Sequence, residues 1–226
     1  MSQFLAENAA SPAIKYVKHA PISTLAQRGD GDKLFFITAR DPLSQYQSLY
    51  FYGCRGNGRT FRQIARSEYD HLALYDGTEA GFARWLMLIA TPGGRDIIAE
   101  LYPPECAELY GPVTFCFLYL SFVTPARKLP KWLDRDRLPG QYEKKRLHRH
   151  VLRCESLNDD LAALAEGDLA PFLRDPGGAA ARLRESRERR NSNSKRKPIT
   201  VSNELKALVQ EREWFMYDVL GYPRYV

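Results

Sequence analysis

The chain has 226 residues, 44% hydrophobic and 27% charged, and this composition excludes wholesale disorder and allows a sizeable core. Its 33 basic and 27 acidic residues give a net charge of +6, yet residues 182–197 alone hold eight basic and two acidic residues. The remainder is neutral, so the excess positive charge belongs to one segment. No repeat or heptad period is present, and the length suits a single domain over residues 1–226.

The cysteine and histidine patterns argue against a disulfide framework or a zinc site. No C-x-x-C spacing occurs, and the four histidines form no zinc pattern with the cysteines, which are Cys54, Cys106, Cys116 and Cys154. We therefore expect free thiols in a reducing compartment and no bound metal. The first twelve residues lack the basic and apolar regions of a signal peptide, so a cytoplasmic location is expected.

The first predicted elements form a strand–turn–helix unit. Residues 14–19 predict a short strand, and residues 33–39 predict a second whose near-continuous apolar run is typical of a strand covered on both faces. Asp41 and Pro42 then have the N-cap and first-turn positions of a helix that Gly53 closes. Its predicted inner face consists of Leu43, Tyr46 and Tyr50.

The later elements alternate between helix and strand. Residues 109–126 are uncharged and contain two prolines and a glycine, so they predict a buried strand at 113–123 rather than a transmembrane helix. In chain order, the other predictions are a helix from Thr78 to Ile89, an exposed helix within 127–153, a strand at 150–155, a helix from Ser156 to Gly167, a basic mobile loop at 176–198 and a last helix from Ser202 to Gly221. This alternation predicts an α/β domain with a central, mostly parallel sheet flanked by helices.

The end of the 33–39 strand is the strongest candidate for a ligand site. A helix N-terminus favours anions, and open α/β sheets bind ligands at the carboxyl ends of their strands. Arg40 stands at that point and is able to hold a phosphate through two parallel hydrogen bonds, with Ser48 adding a hydroxyl group. The alternative is that Arg40 forms a structural salt bridge and Ser48 only packs.

The same stretch resembles the sulfotransferase family, whose members transfer the sulfuryl group of 3′-phosphoadenosine 5′-phosphosulfate (PAPS) to a hydroxyl or amine. The family's motif for the 3′-phosphate is matched by Arg40, Asp41, Pro42 and Ser48. Upstream, the stretch from Lys18 to Pro21 is similar to the family's Lys-Thr-His-x-Pro stretch, one residue shorter. The resemblance implies that Arg40 and Ser48 bind PAPS and that His19 is the catalytic base.

Two further segments resemble bacterial and carbohydrate sulfotransferases. Residues 153–161 are similar to their R-x-E-x-L…D-L stretch, and residues 191–197 with the following helix are similar to their C-terminal cofactor loop. The resemblance implies that Ser194 and Lys195 also contact PAPS, that the acceptor is a glycan or another small hydroxylated molecule, and that the fold is the P-loop-like fold of the family.

One part of the family pattern is missing. The family holds the 5′-phosphosulfate with a loop rich in glycine and in serine or threonine, and residues 1–13, MSQFLAENAASPA, contain no glycine and do not match it. Three explanations stay open: the gene start is misplaced, the phosphosulfate is held in another way, or the chain is a degenerate member with a truncated fold. The second hypothesis is a sulfotransferase-like protein that binds a partner without catalysis.

Several other motifs have competing interpretations. Residues 53–60 nearly match a nucleotide-triphosphatase loop, but that motif follows a strand, and the pattern here favours a glycine-rich exit from a helix. The basic run 182–197 is interpreted as a loop over the cofactor phosphates or as solvated surface. Nucleic acid binding is disfavoured because the run lacks interleaved aromatic residues. His148 and His150 lie in a charged stretch and are expected to be solvated, and His71 has no context that suggests a role.

Overall fold

The computed structural model describes residues 2–10, 34–98, 102–122, 134–186 and 199–225. The predicted strand at 14–19, with His19, lies outside these residues, as do Ser194 and Lys195. The strands are β1 (Phe36–Ala39) and β2 (His150–Arg153). The helices are α1 (Ser2–Asn8), α2 (Pro42–Gly53), α3 (Arg59–Ile64), α4 (His71–Leu74), α5 (Glu79–Ala90), α6 (Arg95–Ile98), α7 (Pro104–Leu109), α8 (Pro112–Ser121), α9 (Leu138–Lys145), α10 (Leu157–Glu166), α11 (Pro176–Glu185), α12 (Asn203–Arg212) and α13 (Trp214–Asp218).

The two strands pair in parallel, with Phe36 opposite His150 and Ala39 opposite Arg153. Both strands lie within the segments predicted for them, so the α/β class and the parallel direction are confirmed. Each strand has only four residues, and the described part of the chain contains this one sheet. The central sheet of several strands and the P-loop fold stay predictions.

The sheet lies between two hydrophobic clusters because side chains alternate along each strand. Ile37, Ala39 and Val151 pack into a large cluster built mainly from α2, α5, α8, α12 and α13. Phe36 and Leu152 pack into a smaller cluster built from α1, α10 and α11. Apolar contact on both faces explains the apolar residues Phe36, Ile37 and Ala39, whereas Thr38 is exposed.

The helix that follows β1 forms as its capping residues predict. The Asp41 carboxylate accepts a hydrogen bond from the Ser44 amide at 2.8 Å, and Pro42 occupies the first turn. Helix α5 is confirmed in the same way, because the Thr78 hydroxyl caps it through the Gly81 amide at 2.9 Å. The predicted apolar stripes of both helices are buried: Leu43, Tyr46, Tyr50, Phe82, Trp85, Leu86 and Ile89.

The prediction of a strand at 113–123 is wrong, because this segment forms helix α8. The helix is buried on most sides, so its sequence is apolar throughout and has no helical period that would distinguish it from a strand. Its first turn is stabilised by Glu213, about 100 residues away, which no local pattern could indicate. Tertiary contacts therefore override the β-branched and aromatic composition of the segment.

Two predictions near the C-terminus are corrected in part. The predicted basic loop at 176–198 begins as helix α11, which Asp175 caps through the Gly178 amide at 2.9 Å, and residues 187–198 lie outside the described residues. The last helix starts at its predicted cap, Ser202, but it is interrupted at Glu213 and continues as α13. The four cysteines are free, as predicted. Among the described helices, none has the length and apolar character needed to span a bilayer.

Candidate site at the carboxyl ends of the strands

The residues that follow β1 and β2 meet at one edge of the sheet. The Cys154 amide donates to the Ala39 carbonyl at 2.8 Å and so continues the strand pairing by one residue. One residue further, the Asp41 amide donates to the Glu155 carboxylate at 2.8 Å. The structure therefore brings together the two sequence motifs, around Arg40 and around Arg153, that carry the family resemblance.

Asp41 is the N-cap of α2. Its carboxylate accepts hydrogen bonds from the Ser44 amide and from the Tyr225 hydroxyl, and Pro42 has no N–H group. The Asp41 amide is itself bound to Glu155. The Ser44 and Asp41 amides therefore have partners within the chain, and the binding of an anion at this helix N-terminus stays a prediction.

Arg40 is the exposed cation of this edge. It forms no hydrogen bond or ion pair with any other residue in the described ranges, so the alternative of a structural salt bridge finds no partner there. Its charge acts on Cys154: burial and Glu155 raise the pKa of that thiol, and Arg40 partly offsets the rise. Arg40 therefore lies near the residue that follows β2.

Ser48 is half-buried on α2, seven residues after the Asp41 cap. Seven residues are about two helical turns, or about 10 Å along the helix axis. The helical period places Ser48 on the same face as Asp41 and Ser44. The structure thus puts Ser48 on the helix that starts at the candidate site, two turns from its beginning.

The C-terminal segment packs against the end of β2. The Arg153 guanidinium donates to the carbonyls of Leu220 and Gly221 at 2.8 and 3.2 Å and lies 5.0 Å from the centre of the Tyr222 ring. Gly221 has a φ of +69°, a left-handed conformation that favours glycine. Burial, with Glu155 and Cys154, raises the pKa of the Tyr222 hydroxyl well above its ordinary value. Sequence patterns indicated the turn at Gly221 but not these contacts.

The described residues on either side of segment 187–198 lie near the site. The Ser186 carbonyl accepts a hydrogen bond from the Asn158 side chain, in the first turn of α10, at 2.9 Å. The Ile199 carbonyl accepts one from Gln47, the neighbour of Ser48, at 3.4 Å. Ser186 therefore lies beside α10, the helix after β2, and Ile199 lies beside α2, the helix after β1.

The glycine-rich residues 53–60 form an exit from a helix. Helix α2 precedes them and α3 follows, and Gly56 and Gly58 have φ angles of +72° and +93°. A nucleotide-triphosphatase loop requires a strand at the position of α2, so that interpretation is excluded.

His148 is buried, contrary to the expectation from its charged surroundings in the sequence. Its ring lies against Phe117 and Tyr142, and burial, with the Arg146 charge, lowers its pKa to about 4. His148 is therefore neutral at physiological pH and belongs to the core. His150 is partly exposed and lies 2.8 Å from Asp168, on the smaller-cluster face of the sheet.

Within the described residues, no group of three His, Cys, Asp or Glu side chains is arranged to hold a metal ion. Comparisons of the chain with protein-family models, with curated proteins and with solved structures find no match.

Proposed function

We propose that the chain is a PAPS-dependent sulfotransferase that transfers the sulfuryl group to a hydroxyl of a glycan or small molecule. The observation that carries the proposal is the position of Arg40. It is exposed, it directly follows β1 at the carboxyl edge of the sheet, and it precedes an Asp-Pro helix start that matches the family motif.

In this proposal Arg40 binds the 3′-phosphate of the nucleotide. A guanidinium matches phosphate geometry with two parallel hydrogen bonds, and the Ser48 hydroxyl adds a further donor. Because the Asp41 carboxylate already binds the Ser44 amide of the first turn, the exposed Arg40 guanidinium supplies much of the attraction at this point. Nucleotide affinity should therefore depend strongly on this one side chain.

The chemical step is assigned to His19, which lies outside the described residues. His19 takes the acceptor proton as the acceptor oxygen bonds to sulfur, and the bond from sulfur to the 5′-phosphate oxygen breaks. The products are the sulfated acceptor and 3′-phosphoadenosine 5′-phosphate. Ser194 and Lys195, also outside the described residues, are assigned to the nucleotide, where positive charge stabilises the leaving phosphate.

The test is calorimetric titration with 3′-phosphoadenosine 5′-phosphate. Arg40→Ala should weaken binding at least tenfold, because a charge-assisted contact contributes about 1.5–3 kcal/mol. Arg149→Ala, at another exposed arginine, is the control and should leave the affinity unchanged. Equal affinities of the parent and Arg40→Ala would overturn the proposal.

A non-catalytic binding protein is the second candidate, and one observation favours it. The carboxylates of Asp41 and Glu155 lie at the same edge as Arg40 and oppose the approach of a multiply charged nucleotide. A transfer assay with PAPS and a panel of glycans and phenols separates the two. Turnover by the parent that falls 10²–10⁴-fold in His19→Ala supports the enzyme. Absence of turnover by the parent, with weak or no nucleotide binding, supports the second candidate.

A further inference from the structure

A cationic surface covers the turn after α2 and the outer face of α3. Residues 53–67 contain no acidic residue and four exposed arginines, which are Arg55, Arg59, Arg62 and Arg66. Helix α2, about 18 Å long, separates these arginines from Arg40. This α3 cationic surface is therefore distinct from the candidate site at the strand ends.

The helical period gathers three of the arginines on one face. Arg59, Arg62 and Arg66 are spaced i, i+3 and i+7 along α3 and the turn that extends it. The other face of α3 carries the buried Ile64 and the partly buried Phe61, which pack into the large hydrophobic cluster. Packing of that face holds the arginines toward solvent.

An exposed aromatic ring borders the arginines. The Tyr52 ring packs over the turn, since a β-carbon at Gly58 would lie 3.0 Å from it, yet Tyr52 is 49% exposed. Gly58 has a φ of +93°, a left-handed conformation that favours glycine. The residue after Gly58 is Arg59, so a planar ring and a guanidinium group lie next to each other. A second planar ring can stack on the free surface of Tyr52.

Hydrogen bonds fix the turn that joins the ring to α3. The Gly56 amide donates to the Gly53 carbonyl at 2.7 Å, and the Asn57 amide donates to the Tyr52 carbonyl at 3.2 Å. The Asn57 side chain also donates to the Arg55 carbonyl at 3.0 Å. The backbone that carries the ring and the first arginines is thus set before any ligand binds.

Carboxylates limit this surface at one end. Glu68 and Asp96 line a shallow groove together with Arg66, the last of the four arginines. They oppose a polyanion at that point. A polyanion is therefore expected over the turn and the start of α3, where Tyr52 and the other three arginines lie.

The combination of arginines and an exposed ring matches single-stranded nucleic acid. Guanidinium groups pair with phosphate oxygens, and proteins that bind single strands add aromatic rings on which bases stack. A nucleic acid has one planar base for each phosphate, whereas acidic peptides and saccharides carry charge without a planar aromatic ring in each unit. In a duplex the bases stack on one another and are closed to Tyr52. The basic run 182–197 contains no aromatic residue and lacks this combination.

We propose that the α3 cationic surface binds single-stranded nucleic acid, with Arg55, Arg59 and Arg62 pairing with phosphates and with Tyr52 stacking on a base. The proposal does not rest on sulfuryl transfer, because the surface and Arg40 lie at opposite ends of α2.

The experiment is a fluorescence anisotropy titration of labelled dT12 with the full chain, at salt concentrations from about 50 to 200 mM. An abasic strand and a polyglutamate peptide of the same length are the comparison ligands, and dT12 should bind at least fivefold tighter than either. Arg55→Gln/Arg59→Gln/Arg62→Gln should weaken dT12 binding at least tenfold. It should also reduce the slope of log K against log salt by about 2, the effect of three lost phosphate contacts on a single strand.

The role of the ring is tested separately. Tyr52→Ala should weaken dT12 binding at least fivefold without changing the salt slope or the affinity for the abasic strand. Tyr52→Phe keeps the ring and should bind as the parent does. The matched control, Arg137→Gln/Arg149→Gln/Arg174→Gln, removes the same charge from exposed positions elsewhere and should alter the affinity less than threefold.

Each contrary outcome overturns the proposal. Absence of dT12 binding by the parent would remove the ligand, and equal binding of polyglutamate or of the abasic strand would leave a general anion surface. An equal loss in the control variant would reduce the effect to net charge, and unchanged binding in the α3 variants would place the strand elsewhere. Titration of the same variants with 3′-phosphoadenosine 5′-phosphate keeps the two proposals separate. Failure of the proposed function removes nucleotide binding in the parent, whereas failure here leaves it intact.

Discussion

Arg212 and Glu213 are consecutive residues, of which Arg212 binds the C-terminal ends of two helices and Glu213 binds the N-terminal end of a third. The Arg212 guanidinium donates to the carbonyls of Ala107, Glu108 and Tyr110 at the end of α7, and to Ala90 at the end of α5. The Glu213 carboxylate accepts from the Val113 and Thr114 amides at the start of α8, at 3.2 and 2.7 Å. Each charge thus matches the helix dipole that it faces.

Glu213 carries four hydrogen bonds in the core, so its neutral amide analogue should be destabilising. Besides the two amides, the hydroxyls of Thr114 and Tyr46 donate to it at 2.7 and 2.5 Å. Glu213→Gln would turn an NH₂ group toward these donors and should lower the free energy of unfolding by about 1–3 kcal/mol. Urea unfolding measures the change. The exposed neighbour Glu211→Gln is the control, and equal effects of the two variants would contradict the role of Glu213.

Two glycine substitutions should have opposite effects. A β-carbon at Gly111 would lie 2.0 Å from a Glu213 carboxylate oxygen, so Gly111→Ala should displace that side chain and destabilise the fold by about 1–3 kcal/mol. Gly140 lies in α9 with nothing within 4 Å of its β-carbon position. Gly140→Ala should therefore stabilise the protein by about 0.5–1 kcal/mol. Thermal or urea unfolding measures both effects. If both substitutions change the free energy of unfolding in the same direction, the surroundings described for Gly111 and Gly140 are contradicted.

His148 should make stability fall in mild acid. Burial and Arg146 lower its pKa from 6.5 to about 4, so the unfolded chain takes up a proton at a higher pH than the fold does. Its contribution to stability is complete above pH 6.5 and is lost as the pH falls toward 4, by about 3 kcal/mol in total. His148→Phe fills the same aromatic site and does not titrate. The free energy of unfolding of His148→Phe should change less over this pH range than that of the parent or of the His71→Gln control. If the free energies of the parent and of His148→Phe change with pH by the same amount, His148 is not the titrating group.

Asp41 and Tyr225 should be energetically coupled, because the Tyr225 hydroxyl donates to the carboxylate that caps α2. Asp41→Ala should cost about 1–2 kcal/mol, the usual effect of losing an N-cap together with a further partner. A double-mutant cycle with Tyr225→Phe should give a coupling of at least about 0.5 kcal/mol. Strict additivity in urea unfolding would show that the contact contributes nothing.

The sequence predicts the parts of the fold that depend on local chemistry. The Asp41 and Thr78 caps and the apolar stripes of α2 and α5 are local patterns, and the structure has them where expected. Local patterns predict a strand in place of helix α8, because the residue that caps this helix, Glu213, comes from a distant part of the chain. His148 was mistaken for a surface residue because its aromatic neighbour Phe117 is also distant in sequence.

In the candidate site too, the sequence predicts the local features and not the contacts between residues far apart in the chain. Arg40 stands at a strand end that local patterns define, and it is exposed there as a binding residue must be. The bond of Asp41 to the Ser44 amide follows from an ordinary N-cap preference, but the bonds of Asp41 to Glu155 and Tyr225 join residues 114 and 184 positions apart.

The pairing of β1 with β2 joins residues 114 positions apart. Closing so long a loop carries a large entropic cost before the first backbone contact is made, and such high contact order slows folding. The eight residues of the sheet are few to offset that cost, so the helical layers on either face must collapse early and draw the strands together. The edge that carries Arg40 would then be among the last parts of the molecule to assemble. Pulsed hydrogen exchange during refolding should show protection of the amides of α5 before that of Cys154.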